Sequence, residues 1–172
     1  MSLTGSSRTL LNRTYTKTVG LGTATMTYNI NEGQTWTDGD AVGGSQILYS
    51  ANDLAIDGSG GSATSLDLVA TLLDPLSGTA QTYTKIKELW IKNNTTTAGA
   101  TLKVNGNFIT TVILGGTTPY LIIGAGGKAH FECPSLAGYA VTSSTGDVIT
   151  LQGATTTAVN IDLLIVGVGT VA

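Results

Sequence analysis

The chain has 172 residues with a formal net charge of −3, 41% hydrophobic residues and only 11% charged ones. That length suits one domain with a real core. The hydrophobic content excludes a disordered chain, and no stretch approaches the roughly 20 apolar residues of a spanning helix. Acidity, with few clustered bases, argues against a nucleic-acid interface built on many phosphate contacts.

Gly numbers 23 and Thr 30. β-branched residues favour strands and glycine favours turns. The opening "MSLTGSSRTLL" lacks the apolar core of a signal peptide. Residues 1–31 hold Arg8, Arg13 and Lys17 and no acid. This predicts a basic, extended N-terminal arm over residues 1–20, which crosses to an acidic surface of its own subunit or of a neighbour. The remaining residues, 21–172, are expected to form one β-sandwich domain.

Strands are predicted at 23–30, 46–51, 65–72, 85–93, 100–104, 119–123, 128–133, 138–142, 147–152 and 159–168. In "ATMTYNI" Ala24, Met26, Tyr28 and Ile30 alternate with Thr25, Thr27 and Asn29. Turn signals such as "DGSGGS" at 57–62, "NNTTTAG" at 93–99 and "GAGG" at 124–127 separate these runs. Short strands at this spacing, with no helical period between them, indicate an all-β protein. The expected architecture is a jelly-roll-like two-sheet β-sandwich of about 8–10 short strands with the extended arm.

Residues 32–84 carry seven acids, Glu32, Asp38, Asp40, Asp53, Asp57, Asp67 and Asp74, and no Lys or Arg. Glu32, Asp38 and Asp40 surround Trp36, but their spacing does not match a calcium loop. A loop turning at Asp38-Gly39 with Trp36 packed beneath it is the expectation.

The strand at 85–93, "KIKELWIKN", is apolar on both faces. Strict alternation puts Leu89 and Ile91 on one face and Ile86 and Trp90 on the other. Either face could be the core, and the remaining one needs a cover. The cover expected is a neighbouring subunit, the N-terminal arm or a larger assembly. Ile86 and Trp90 therefore join Arg8, Arg13 and Lys17 as candidate interface residues.

Catalytic chemistry finds little footing, and the chain reads as a non-enzyme with no cofactor. His130 is the single histidine and falls between Lys128 and Glu132 on the face opposite Phe131, which reads as a solvated face. Cys133 is the single cysteine, so no intrachain disulfide forms, which fits assembly in a reducing cytoplasm. On a strand His130 and Cys133 point to opposite faces and do not share a metal. "GAGGK" at 124–128 lacks the phosphate-loop spacing, and its glycines serve a tight connection. Trp36, Trp90 and six tyrosines leave a glycan-binding or receptor-binding module as an alternative.

The order "YTKIKELWIKNNTTTAGATLKVNGN", then "PYLIIGAGGKAHFECPSLAGYAVTSSTGDVITLQG", then "NIDLLIVGVG", resembles small virion structural proteins of tailed bacteriophages. The likeness covers roughly residues 82–168 and consists of strand and turn patterns. It implies a capsid decoration (cement) or minor capsid protein whose β-sandwich oligomerises on the major capsid protein. A homo-oligomer, preferably a trimer, at the capsid surface of the virion is the expectation. No catalytic or ligand residues come with the resemblance.

Overall fold

The computed structural model describes the backbone of residues 5–19, 22–41, 43–70, 72–74 and 77–172, with side chains described from Thr35 onward within those ranges. The described residues include twelve strands and one helical turn. In chain order the strands are β1 (Gly5–Val19), β2 (Gly22–Asp38), β3 (Gly44–Ser45), β4 (Ile47–Ile56), β5 (Thr64–Asp67) and β6 (Gln81–Asn93). There follow β7 (Leu102–Asn105), the helical turn Phe108–Ile113, β8 (Leu121–Ile123), β9 (Lys128–Glu132), β10 (Tyr139–Ala140), β11 (Val148–Gly153) and β12 (Val159–Val171).

Two antiparallel sheets form the body. One runs β10-β6-β12-β4, with β9 also paired to β6; the other runs β5-β11-β7-β8. Consecutive strands from β4 onward step back and forth between these sheets, with β7 and β8 staying together in one and β9 and β10 in the other. This is the two-sheet jelly-roll connectivity expected from the sequence.

The core lies between the sheets because each strand sends alternate apolar residues inward. β12 contributes Val159, Ile161, Leu163 and Ile165, β11 Ile149 and Leu151, and β7 Leu102 and Val104. Phe108 and Ile109 of the helical turn close one end. Full burial of one such side chain contributes about 1.5–3 kcal/mol. Polar residues hold the ends of elements. Asn107 Nδ2 donates to Asp147 Oδ1 at 3.0 Å, and Asn107 Oδ1 accepts the Asp147 and Val148 amides at 2.9 and 2.6 Å. This pair ties the start of the helical turn to the start of β11.

The predicted strand at 65–72 is shorter than expected. β5 ends at Asp67, and the Asp67 carboxylate accepts the Val69 amide at 2.8 Å. Such a side-chain-capped turn offers the backbone an alternative to the ladder. Leu68 is still wholly buried.

The N-terminal region forms a third sheet, β1-β2-β3. β1 pairs antiparallel with β2 from Gly5↔Trp36 to Val19↔Gly22, and β2 meets β3 in parallel at Thr37↔Gly44 and Asp38↔Ser45. The extended N-terminal segment is thus one half of a two-stranded ribbon, and the ribbon also takes in residues 22–34, which the sequence reading placed in the sandwich domain.

Candidate interaction surface

The strand β6 carries Ile86 and Trp90 of the predicted surface, and its geometry departs from simple alternation. Its pairing with β12 runs Val166↔Glu88, then Gly167↔Ile86, then Val168↔Lys85, then Gly169↔Tyr83. Lys87 and Thr84 are therefore extra residues, each a bulge. Each bulge shifts the inward set by one position. The buried series becomes Tyr83, Ile86, Leu89, Ile91 and Asn93. Ile86 is 0% exposed and belongs to the same core as Leu89. Its proposed place beside Trp90 on an outer face is corrected: the bulge at Lys87 turns it inward.

Two glycines on β12 permit these bulges. A Cβ on Gly167 would meet the Lys85 carbonyl oxygen at 2.2 Å, and one on Gly169 would meet that of Thr82 at 2.0 Å. The bulged Lys87 is itself buried. Its Nζ donates to the carbonyls of Ser135 and Leu136. Burial, and then the neighbouring Lys85 charge, push its ammonium below the usual lysine range.

The outer face of β6 has a cover, and part of it comes from β2. Trp36 is only 3% exposed, and its Nε1 donates to Glu88 Oε2 at 3.0 Å. Glu88 is also 3% exposed, and its Oε1 lies 2.9 Å from His130 Nε2 on β9. Glu132 stands 3.8 Å from the same imidazole nitrogen. The pairing of β6 with β9 sets this cluster, since Glu88 lies opposite Glu132 and Trp90 opposite His130. A buried carboxylate needs donors on both oxygens, and the indole and the imidazole are placed to supply them. His130 therefore does not sit on an open solvated face. It belongs to a Trp36–Glu88–His130 cluster that fixes the base of the ribbon to the body.

Further contacts reinforce that base. Lys85 Nζ donates to Asp40 Oδ1 at 2.8 Å, and the Gly43 amide donates to the Pro134 carbonyl at 2.9 Å. The turn after β2 passes through Gly39 at φ 125°, and Trp36, just before it, is buried. "GAGG" likewise makes a tight connection, with Gly126 at φ 69° and the Gly127 amide donating to the Gly124 carbonyl at 2.9 Å.

Trp90 is half-buried on the outer face, opposite Leu164 of β12. Arg8, Arg13 and Lys17 lie on β1 opposite Gly33, Tyr28 and Ala24 of β2; their side chains fall outside the described residues. The structure thus separates the predicted interface into three places: the ribbon, the outer face around Trp90, and the core, which claims Ile86. With its indole buried and bonded to Glu88, Trp36 presents no open ring to a sugar. A separate exposed apolar group lies on the other sheet, where Ile122 of β8 and neighbouring Tyr120 are about half exposed and Lys103 Nζ sits 4.8 Å from the Tyr120 ring centre. Cys133 is half-buried, its Sγ 3.2 Å from Ser135 Oγ. Among the described residues no group of three His, Cys, Asp or Glu side chains is placed to hold a metal ion.

Sequence reasoning missed Glu88 as an organising residue. The signal was an acid inside an apolar run, "ELWI"; its partner Trp36 lies 52 residues away and could not be paired from spacing. No protein-family model matches this chain, and no curated protein matches it.

Proposed function

We propose that this protein is a structural subunit of a virion, a capsid decoration or minor capsid protein of the tailed-phage type. It acts as a homo-oligomer, preferably a trimer, bound to the major capsid protein at the capsid surface. The observation that carries this reading is the ribbon. A jelly-roll body, complete in its own core, bears a 15-residue strand paired along its length with one neighbour. An element of that kind offers extended surface for contacts beyond the subunit.

The strand and turn pattern over residues 82–168 that resembles phage virion proteins supports the same reading. Binding to an assembled shell stabilises it by mass action, because separated shell subunits lack the complete site. Mass spectrometry of purified particles, with a co-sedimentation assay on assembled capsids, tests the proposal. The protein is expected in the particles and in the capsid pellet. Its absence from both sinks the proposal.

A further inference from the structure

Among the described residues the two longest strands that end a sheet are β1, of 15 residues, and β4, of 10; the other sheet-ending strands, β3, β5, β8, β9 and β10, are no longer than 5 residues. Among the described residues β1 pairs with β2 alone, which leaves the other edge of a 15-residue strand without a strand partner. β4 ends the five-stranded sheet of the body. A free edge presents a row of amide and carbonyl groups and serves as a template for another strand.

Each edge is guarded by charge of one sign, which repels its own kind and admits an oppositely charged strand. β1 contains no proline. β4 is interrupted once, where Asp53 adopts φ 53° and its amide donates to Asp162 Oδ1 at 2.9 Å. Before that bulge, Ile47–Ala51 stays in regular register with β12. One carbonyl in this stretch, that of Leu48, is taken by the Gln81 side-chain amide at 2.8 Å. Ser50 is exposed.

Charge decides which edge fits which. β1 carries Arg8, Arg13 and Lys17 and no acid. β4 carries Asp53 and no base, and Asp57 follows it closely. Two β1 edges brought together would crowd positive charge onto one sheet, and two β4 edges would gather negative charge. The pairing of unlike edges is the one in which opposite charges meet.

We propose that β1 of one copy pairs edge to edge with β4 of a second copy. The five-stranded sheet then continues across the subunit boundary into the neighbour's ribbon. Each copy gives one edge and receives on the other, so the contact is head-to-tail, and a closed homo-oligomer is the case in which its rotation completes a ring. This rests on the homo-oligomer in the reading above and is independent of the capsid.

Cross-linking on isolated protein tests it. In a Cys133→Ser background, Ser50→Cys is mixed with Asn12→Cys, Thr14→Cys or Thr16→Cys and oxidised. The expected product is a disulfide between the two different variants for at least one β1 position. Cross-links only between like variants overturn the proposal.

Sedimentation of charge variants supplies the second arm. Ser50→Glu is expected to tighten self-association severalfold and Ser50→Lys to loosen it. An Arg13→Glu background is expected to reverse that order. Circular dichroism checks that each variant is folded. A chain that stays monomeric at every concentration, or that ignores both charge changes, overturns the pairing. A failed capsid assay leaves these readouts standing.

Discussion

The jelly-roll body and the N-terminal ribbon use the same alternating β pattern and are held together differently. In the body each strand lends one face to a core shared by two sheets, with Ile56, Ile86, Leu89, Phe108 and Ile161 all fully buried. In the ribbon β1 and β2 are joined by their own ladder, and among the described residues that sheet adds just the two-residue β3. A two-stranded hairpin alone is at best marginally stable in water. Alternation therefore specifies a strand, whereas stability comes from what lies across its buried face. Between the two regions sits the Trp36–Glu88–His130 cluster, which belongs to both.

The sharpest way to break this contrast is through the core. Phe108→Ala should destabilise the body by about 3–5 kcal/mol, the usual cost of deleting a buried aromatic ring. Urea unfolding would read it as a lower midpoint at unchanged slope. A loss below 1 kcal/mol would mean that the body is not held by this core.

The next effect concerns the polar ties. Asn107→Ala removes three bonds to the Asp147–Val148 segment and should cost about 1–3 kcal/mol, because it leaves buried partners unmet. Glu88→Ala should cost about as much and also move the Trp36 emission, since the indole loses its acceptor. An unchanged emission spectrum in Glu88→Ala would separate Trp36 from the body.

Removing residues 1–34 tests the other side of the contrast. It spares Trp36 and should change the stability of the isolated body by less than about 1 kcal/mol, because the ribbon contributes no strand to either sheet of the body. A large drop would place the ribbon inside the body's cooperative unit.

The smallest expected effect lies at the edge bulge. The Asp53 amide beside Asp162 holds that carboxyl below the usual carboxylate range. A lowered native value means that the contribution is present above about pH 4, the ordinary carboxylate value, and fades as pH falls through the native value. Asp162→Asn should remove that part of the acid-side loss while leaving stability near neutrality almost unchanged. An unaltered acid profile would show that the bond contributes nothing.

Most of the body was legible because its strands alternate cleanly and glycine-rich turns separate them. β7, β9, β11 and β12 fall within a residue or three of their predicted bounds. β6 was not legible in its faces, since alternation counted across a bulge assigns residues to the wrong side. The clue lay on the partner strand, in the "GVG" of 167–169, where glycine inside a strand marks a close approach of backbones. The ribbon was half legible: the basic extended segment was recognised, but its pairing with β2 was not. "GLG" at 20–22, between two alternating runs, was the available hairpin signal. The buried cluster was least legible, because Trp36, Glu88 and His130 come from three separate strands and meet only after the sheet forms.

The position of β12 carries a consequence for how the molecule is made. This strand stands between β6 and β4, yet follows both in the chain. On the ribosome its two neighbours emerge first and must wait, with their shared partner still unsynthesised. The hairpin of β1 and β2 joins residues close in sequence and closes early, whereas the sheet behind it is completed only when residues 159–171 arrive. The interval leaves the edges of β4 and β6 that pair with β12 open during synthesis, which makes that stage a point where aggregation competes.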